Sequence, residues 1–222
     1  MAPKLTDRLW DAATPIYDAI LEHPFVTGLA DGTLDPAAFH YYVVQDALYL
    51  RDYARSLSAC AAKSPTMDDM AMFNEHASGA LEVERALHAS FLEGFGLTPE
   101  ELDATPLAPT NRAYTSYLLA SVSTGSFAEA VAAVLPCYWI YARVGAELLA
   151  KGSPDPLYSR WIETYGGDEF AAIVQAVLDL TDRIGPELGS AEEAKVFERY
   201  VTTSRYEWMF WDAAWRQEQW PV

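Results

Sequence analysis

Apolar residues recur at three- and four-residue steps along nearly the whole chain, and no segment alternates over strand lengths. That periodicity restricts the fold to a packing of helices, so the class is all-α. Asp35-Pro36 opens a helix running toward Lys63, with Pro36 suited to a first-turn position. Ser64-Pro65 separates it from a second long helix that should end near Gly94 and Gly96. Thr98-Pro99-Glu100-Glu101, Ser126-Phe127-Ala128-Glu129 and Ser190-Ala191-Glu192-Glu193 each match a capping box, and Gly125, Gly152, Gly166-Gly167 and Gly189 fall where helices should stop. The last helix is expected from about Ala191 to near Trp220.

No composition shift marks a linker in these 222 residues, so one domain spanning 1–222 is the simplest organisation. A net charge of −17 leaves no basic patch to displace counterions from phosphates, which argues against nucleic acid and anionic membrane surfaces. Met1-Ala2-Pro3-Lys4 leads into amphipathic sequence without the apolar core of a signal peptide, and a cytoplasmic protein is expected. The charge-free run between Glu129 and Arg143 is shorter than the ~20 residues of a membrane span and contains Pro136, so it reads as a buried helix.

That proline draws attention to its neighbour. Leu135-Pro136-Cys137-Tyr138-Trp139-Ile140-Tyr141 lies inside a helical pattern, where a proline removes a hydrogen bond and frees the carbonyl of Ala132. Tyr141 shares a face with the Cys137 thiol, whereas Arg143 points elsewhere. With no adjacent cation or helix N-terminus, activation of the thiol has to come from tertiary neighbours; otherwise it is an inert buried cysteine, the reading that suits Cys60.

Two carboxylates stand in equally unusual settings. Tyr42, Asp46, Tyr49 and Tyr53 share one helical face, so Asp46 sits among tyrosine hydroxyls, either in a structural network or in a binding site. Glu207 shares a face with Tyr200, Ser204 and Trp211, and its bulky neighbours in Tyr206-Glu207-Trp208-Met209-Phe210-Trp211 should desolvate it into a proton-carrying acid. Tyr114 and Tyr165 are further candidates, and Asp168 after Gly166-Gly167 can cap the helix that follows. Such rings with a few polar groups suit a flat heteroaromatic ligand, and suit core packing equally. No paired Glu-x-x-His motif is present for a di-iron site; Glu84 and His88 read as a surface pair, and His23 as a helix cap or structural histidine before a haem ligand.

With these residues laid out, the chain resembles the TenA family of thiaminase II and aminopyrimidine aminohydrolases. The likeness rests on His23-Pro24-Phe25-Val26, Asp31-Gly32-Thr33-Leu34, Tyr41-Tyr42-Val43-Val44-Gln45-Asp46, Leu135 to Tyr141, Trp161-Ile162-Glu163-Thr164-Tyr165-Gly166-Gly167-Asp168, and Glu207 with Phe210-Trp211. It implies a haem-oxygenase-like helical bundle, usually a homotetramer, that salvages the pyrimidine of thiamin with neither a metal nor an organic cofactor. By the same resemblance Cys137 is the nucleophile of the cysteine-containing branch and Glu207 the proton donor to the leaving group. Asp46 binds the aminopyrimidine edge, Tyr49 raises the nucleophilicity of the thiol, and Tyr141, Tyr165 and Tyr114 bind substrate. Leu48 stands where some relatives carry an aromatic, which bears on substrate preference. The expected reaction converts 4-amino-5-aminomethyl-2-methylpyrimidine to the hydroxymethylpyrimidine and ammonia, with slower cleavage of thiamin. A non-catalytic pyrimidine carrier or regulator of the same fold is the alternative.

Overall fold

The computed structural model describes residues 3–87, 96 and 98–222, and among them only helices and connecting turns occur. The elements are α1 (Leu5–Leu21), α2 (Pro24–Asp31), α3 (Pro36–Lys63), α4 (Met67–Leu87), α5 (Pro99–Ala104), α6 (Pro109–Thr124), α7 (Phe127–Lys151), α8 (Pro156–Gly166), α9 (Asp168–Ile184), a short 3₁₀ turn (Gly185–Glu187) and α10 (Ser190–Arg216). The region where this helix was expected to end near Gly94 lies outside the described residues, as does His88, the partner named for Glu84.

Start signals decide most boundaries. Asp35 accepts the Ala37 N–H at 2.9 Å ahead of Pro36, and Thr98 with Glu101 closes a full capping box at α5. The other two boxes differ. Ser126 accepts the Glu129 N–H at 3.3 Å, but the Glu129 carboxylate turns away to Arg199 and Lys195 of α10. Helix α10 begins one residue before the motif places it, with extended Gly189 at the cap, so Ser190 caps nothing. Asp168 likewise is the first residue of α9 rather than its cap, and its charge faces the positive helix end.

Two long helices, α3 and α7, carry the centre of the core, and α10 packs across α1, α3, α6 and α7. Among the described residues only α7 is long and apolar enough to cross a membrane, a length the sequence run understates because the helix passes through Pro136 unbroken. Since 72% of its apolar window is buried inside the protein, it serves as a core helix. Helix α10 stops at Arg216, four residues short of Trp220, where Gln217 adopts a left-handed φ of 49°. The chain then folds back. Glu218 accepts the Thr110 N–H at 2.8 Å at the start of α6, its carbonyl accepts from Tyr41 at 2.7 Å, and Trp220 donates to the Leu107 carbonyl at 2.9 Å. Helix α4 is tied to α9 by Arg183, which grips the buried Asp69 through two bonds of 2.6 and 3.2 Å.

Candidate active site

The tyrosine stripe of α3 faces inward as its spacing predicts, with Tyr42, Asp46, Tyr49 and Tyr53 all buried. Opposite it, α7 presents Cys137 and Tyr141, α10 presents Glu207, Phe210 and Trp211, α6 presents Tyr114, and α8 presents Tyr165. All seven residues singled out in the sequence therefore converge. Tyr114 donates to Glu207 Oε1 at 2.5 Å, and Tyr42 donates to the Tyr141 hydroxyl at 3.1 Å. The rings line one space: Tyr49 lies 5.0 Å from Tyr114 and 5.6 Å from Phe210, while Tyr141 lies 5.1 Å from Tyr165 and 5.2 Å from Trp211.

Cys137 is only half-buried, whereas Asp46, Tyr49, Tyr114, Tyr141 and Glu207 around it are buried. Removal from water pushes the thiol well above its usual range, and the charge of nearby Glu207 adds to the rise; the neighbouring Tyr49 and Tyr53 hydroxyls oppose it. The activating neighbours are thus hydroxyls and not cations, and Arg143 instead lies 5.0 Å over the Trp10 ring. The buried Tyr49 hydroxyl makes no well-aligned bond to any protein acceptor, the thiol included.

Both carboxyls hold protons at higher pH than usual, for the same reason. Burial raises Glu207 to about 8, although the Tyr114 hydrogen bond pulls it down, and burial raises Asp46 to about 7. The sequence neighbours Tyr206, Trp208 and Met209 are themselves partly or largely exposed, so the burial of Glu207 comes from tertiary packing, Tyr114 of α6 among it. Because Tyr114 donates to Oε1, the proton of a neutral Glu207 is best carried on Oε2.

Some contributors escape a reading of spacing alone. Tyr53 shares the Asp46 stripe, but its contact with the thiol is a tertiary fact, as is its 3.0 Å bond to the Val134 carbonyl in the turn before Pro136. Phe210 walls the site beside Tyr49, next to the Trp211 that spacing does place with Glu207. The remaining candidates settle into structural roles. His23 caps α2, its Nδ1 accepting the Phe25 N–H at 3.1 Å while Nε2 lies 3.6 Å from Asp212, and burial pushes the Cys60 thiol up to about 12. Among the described residues no three His, Cys, Asp or Glu side chains gather as a metal site.

A backbone contact seats Tyr165. A Cβ on Gly145 of α7 would lie 2.5 Å from the Tyr165 carbonyl carbon and 2.7 Å from the Gly166 nitrogen, so α8 can approach only a glycine there. Gly145→Ala is expected to destabilise the protein by about 1–3 kcal/mol through overpacking. Urea melts check it: an unchanged midpoint would mean that α8 shifts at no cost.

A model of the TENA/THI-4/PQQC family matches residues 10–217. The chain belongs to this family. An aminopyrimidine aminohydrolase of Bacillus subtilis (strain 168) is 39% identical over 217 residues, covering 98% of this chain and 92% of that protein. Among solved structures, a TenA homologue from P. horikoshii OT3 superposes with a TM-score of 0.88 at 30% identity, covering 96% of this chain and 99% of that one. A domain with a haem oxygenase-like fold from Shewanella denitrificans OS217 reaches a TM-score of 0.74 at 16% identity over 98% of this chain and 94% of the other. The fold is thus the haem-oxygenase-like helical bundle that the family resemblance implies. Within the family framework, the thiol on α7 and the carboxyl on α10 lie near enough for the charge of one to raise the pKa of the other, with Tyr114 bonded to the carboxyl.

Proposed function

We propose that this chain is an aminopyrimidine aminohydrolase with thiaminase II activity, acting in salvage of the thiamin pyrimidine. One observation carries the reading: an accessible thiol and a protonated carboxyl share a buried, aromatic site, the pair that addition to an electron-poor ring and expulsion of an amine require. Similarity to the Bacillus subtilis protein supports the substrate class.

In this reading Asp46 binds the aminopyrimidine edge, and Tyr141, Tyr165 and Tyr114 hold the ring. Cys137 Sγ forms a bond to a ring carbon, breaking aromaticity. The ring electrons then expel the amine from the exocyclic methylene as Glu207 gives it a proton, and ammonia leaves. Water adds to the methylene and returns a proton to Glu207; expulsion of the thiolate restores the aromatic ring. Tyr49 stabilises the thiolate at both ends of the cycle. The net change is aminomethylpyrimidine plus water to hydroxymethylpyrimidine plus ammonia, and thiazole replaces ammonia when thiamin is cleaved. No cofactor enters these steps.

The reading extends to a single domain working in the cytoplasm as a homotetramer, with no nucleic-acid or membrane partner. Exposed Met67, Leu149, Met209, Trp215 and Trp220 support association between copies, which light scattering would measure. The deciding assay measures ammonia release from 4-amino-5-aminomethyl-2-methylpyrimidine beside hydrolysis of thiamin. Release from the aminopyrimidine at the higher rate is expected. Tight pyrimidine binding with no release from either compound would overturn the enzyme reading in favour of a carrier.

A further inference from the structure

Tyr114 is bonded to the Glu207 carboxyl, yet α6, the helix that carries it, has no cap of its own. The cap position is Ala108, whose side chain can accept nothing, and Pro109 follows without an N–H. A residue of α3 takes over the task. The Gln45 side chain accepts the Ala108 N–H at 3.0 Å through Oε1 and donates to the Pro106 carbonyl at 3.1 Å through Nε2. From the first turn of α6, Asn111 Nδ2 donates back to the same Oε1 at 2.9 Å and to the Gln45 main-chain carbonyl at 2.7 Å. In an α-helix that carbonyl also serves the N–H four residues on, here that of Tyr49. Both Gln45 and Asn111 are buried.

These four bonds join the two helices that carry opposite parts of the candidate site. Gln45 directly precedes Asp46 and stands one turn before Tyr49, while Asn111 stands one turn before Tyr114. The bonds that Asn111 makes are not needed to satisfy its partners. Gln45 Oε1 keeps the Ala108 N–H without it, and the main-chain carbonyl keeps its helical partner. Asn111 Oδ1, meanwhile, receives no donor from the protein, and a buried acceptor in that state costs stability. Leucine, of similar volume, would avoid that cost. The amide is better explained by what it aligns.

We propose that Gln45 and Asn111 are positioning residues for the acid step, fixing α6 against α3 so that Tyr114 meets Glu207 in register with Asp46 and Tyr49. The inference rests on the reading of Glu207 as proton donor. The Tyr114 bond favours the ionised carboxyl and so opposes the effect of burial. When Tyr114 slips, Glu207 holds its proton more tightly and yields it less readily to the leaving amine. The other titratable groups facing Glu207 are Asp46 and Tyr49 from α3, Cys137 and Tyr141 from α7, and Tyr165 from α8.

Tyr114→Phe sets the scale: losing its bond should raise the pKa of Glu207 from about 8 by roughly one pH unit. Asn111→Leu is expected to move it the same way by part of that amount and to lower kcat about tenfold, with a melting temperature close to the wild type. The alkaline limb of kcat, where Glu207 loses its proton, should move up with it. Asn111→Ala repeats the test without overpacking. In the double variant with Tyr114→Phe, Asn111→Leu should add no further shift. An infrared pH titration of the carboxyl band, assigned with Glu207→Gln, reads the shift without substrate, so it separates failure of the alignment from failure of the assigned reaction. Wild-type titration and kcat in both Asn111 variants would overturn the proposal. A lowered kcat and melting temperature with an unmoved Glu207 titration would overturn it in favour of a packing role, and a further shift in the double variant would show that Asn111 acts by a route other than Tyr114.

Discussion

Cys137→Ser lowers aminopyrimidine turnover by on the order of a thousandfold or more, while pyrimidine affinity stays within a few-fold of the wild type. The size follows from the surroundings of Sγ. Burial and Glu207 already push the thiol well above its usual range, and only tyrosine hydroxyls oppose them. A serine hydroxyl, intrinsically far less acidic, has no cation there to help it ionise. Binding survives because Asp46 and the rings that hold the pyrimidine are untouched. Calorimetric titration with the hydroxymethyl product, beside the ammonia assay, checks both halves. A serine variant that turns over at the wild-type rate would remove covalent addition from the mechanism.

Glu207→Gln should separate chemistry from stability. Loss of the acid is expected to slow amine expulsion about a hundredfold to a thousandfold. Thiazole departure from thiamin, which needs less protonation, should slow less; equal losses on both substrates would contradict the donor role. The stability effect has the opposite sign. The folded protein raises Glu207 from 4.5 to about 8 and Asp46 from 3.8 to about 7, so it keeps protons that the unfolded chain releases. That contribution is fully present below about pH 4 and is lost as pH rises through 7 and 8, at up to about 1.4 kcal/mol per pH unit for each group. Glutamine is neutral throughout, and its Oε1 still accepts from Tyr114. The variant should therefore melt above the wild type at pH 9 and close to it at pH 5, as scanning calorimetry would record. A wild-type melting temperature that does not fall between pH 5 and 9 would mean that Glu207 is not a buried acid.

Much of this arrangement is written in helical spacing. Tyr42, Asp46, Tyr49 and Tyr53 declare a common face because four-, three- and four-residue steps bring side chains together on any α-helix. Pro136 marks the turn that carries Cys137. The joining of these faces is less legible. Which helix packs on which depends on surfaces hundreds of atoms wide, so the contact of Tyr53 with the thiol and that of Asn111 with Gln45 leave no trace in spacing. Local motifs also yield where tertiary partners compete. Glu129 completes a capping box on paper, yet Arg199 and Lys195 draw its carboxylate across to α10. The end of α10 is missed for a similar reason, since Gln217 turns out of the helix to place Glu218 and Trp220 against the start of α6.

The position of Glu207 on α10 also bears on the order in which the protein is made. Synthesis delivers the thiol, the Asp46 stripe and most of the tyrosines long before the helix that carries the acid. Until α10 emerges from the ribosome, the inner faces of α1, α3, α6 and α7 have nothing to pack against, and the chain should present them to chaperones and proteases. A message cut short before the codons of α10 would thus yield a polypeptide holding Cys137 without Glu207, and quality control would meet it before any substrate did.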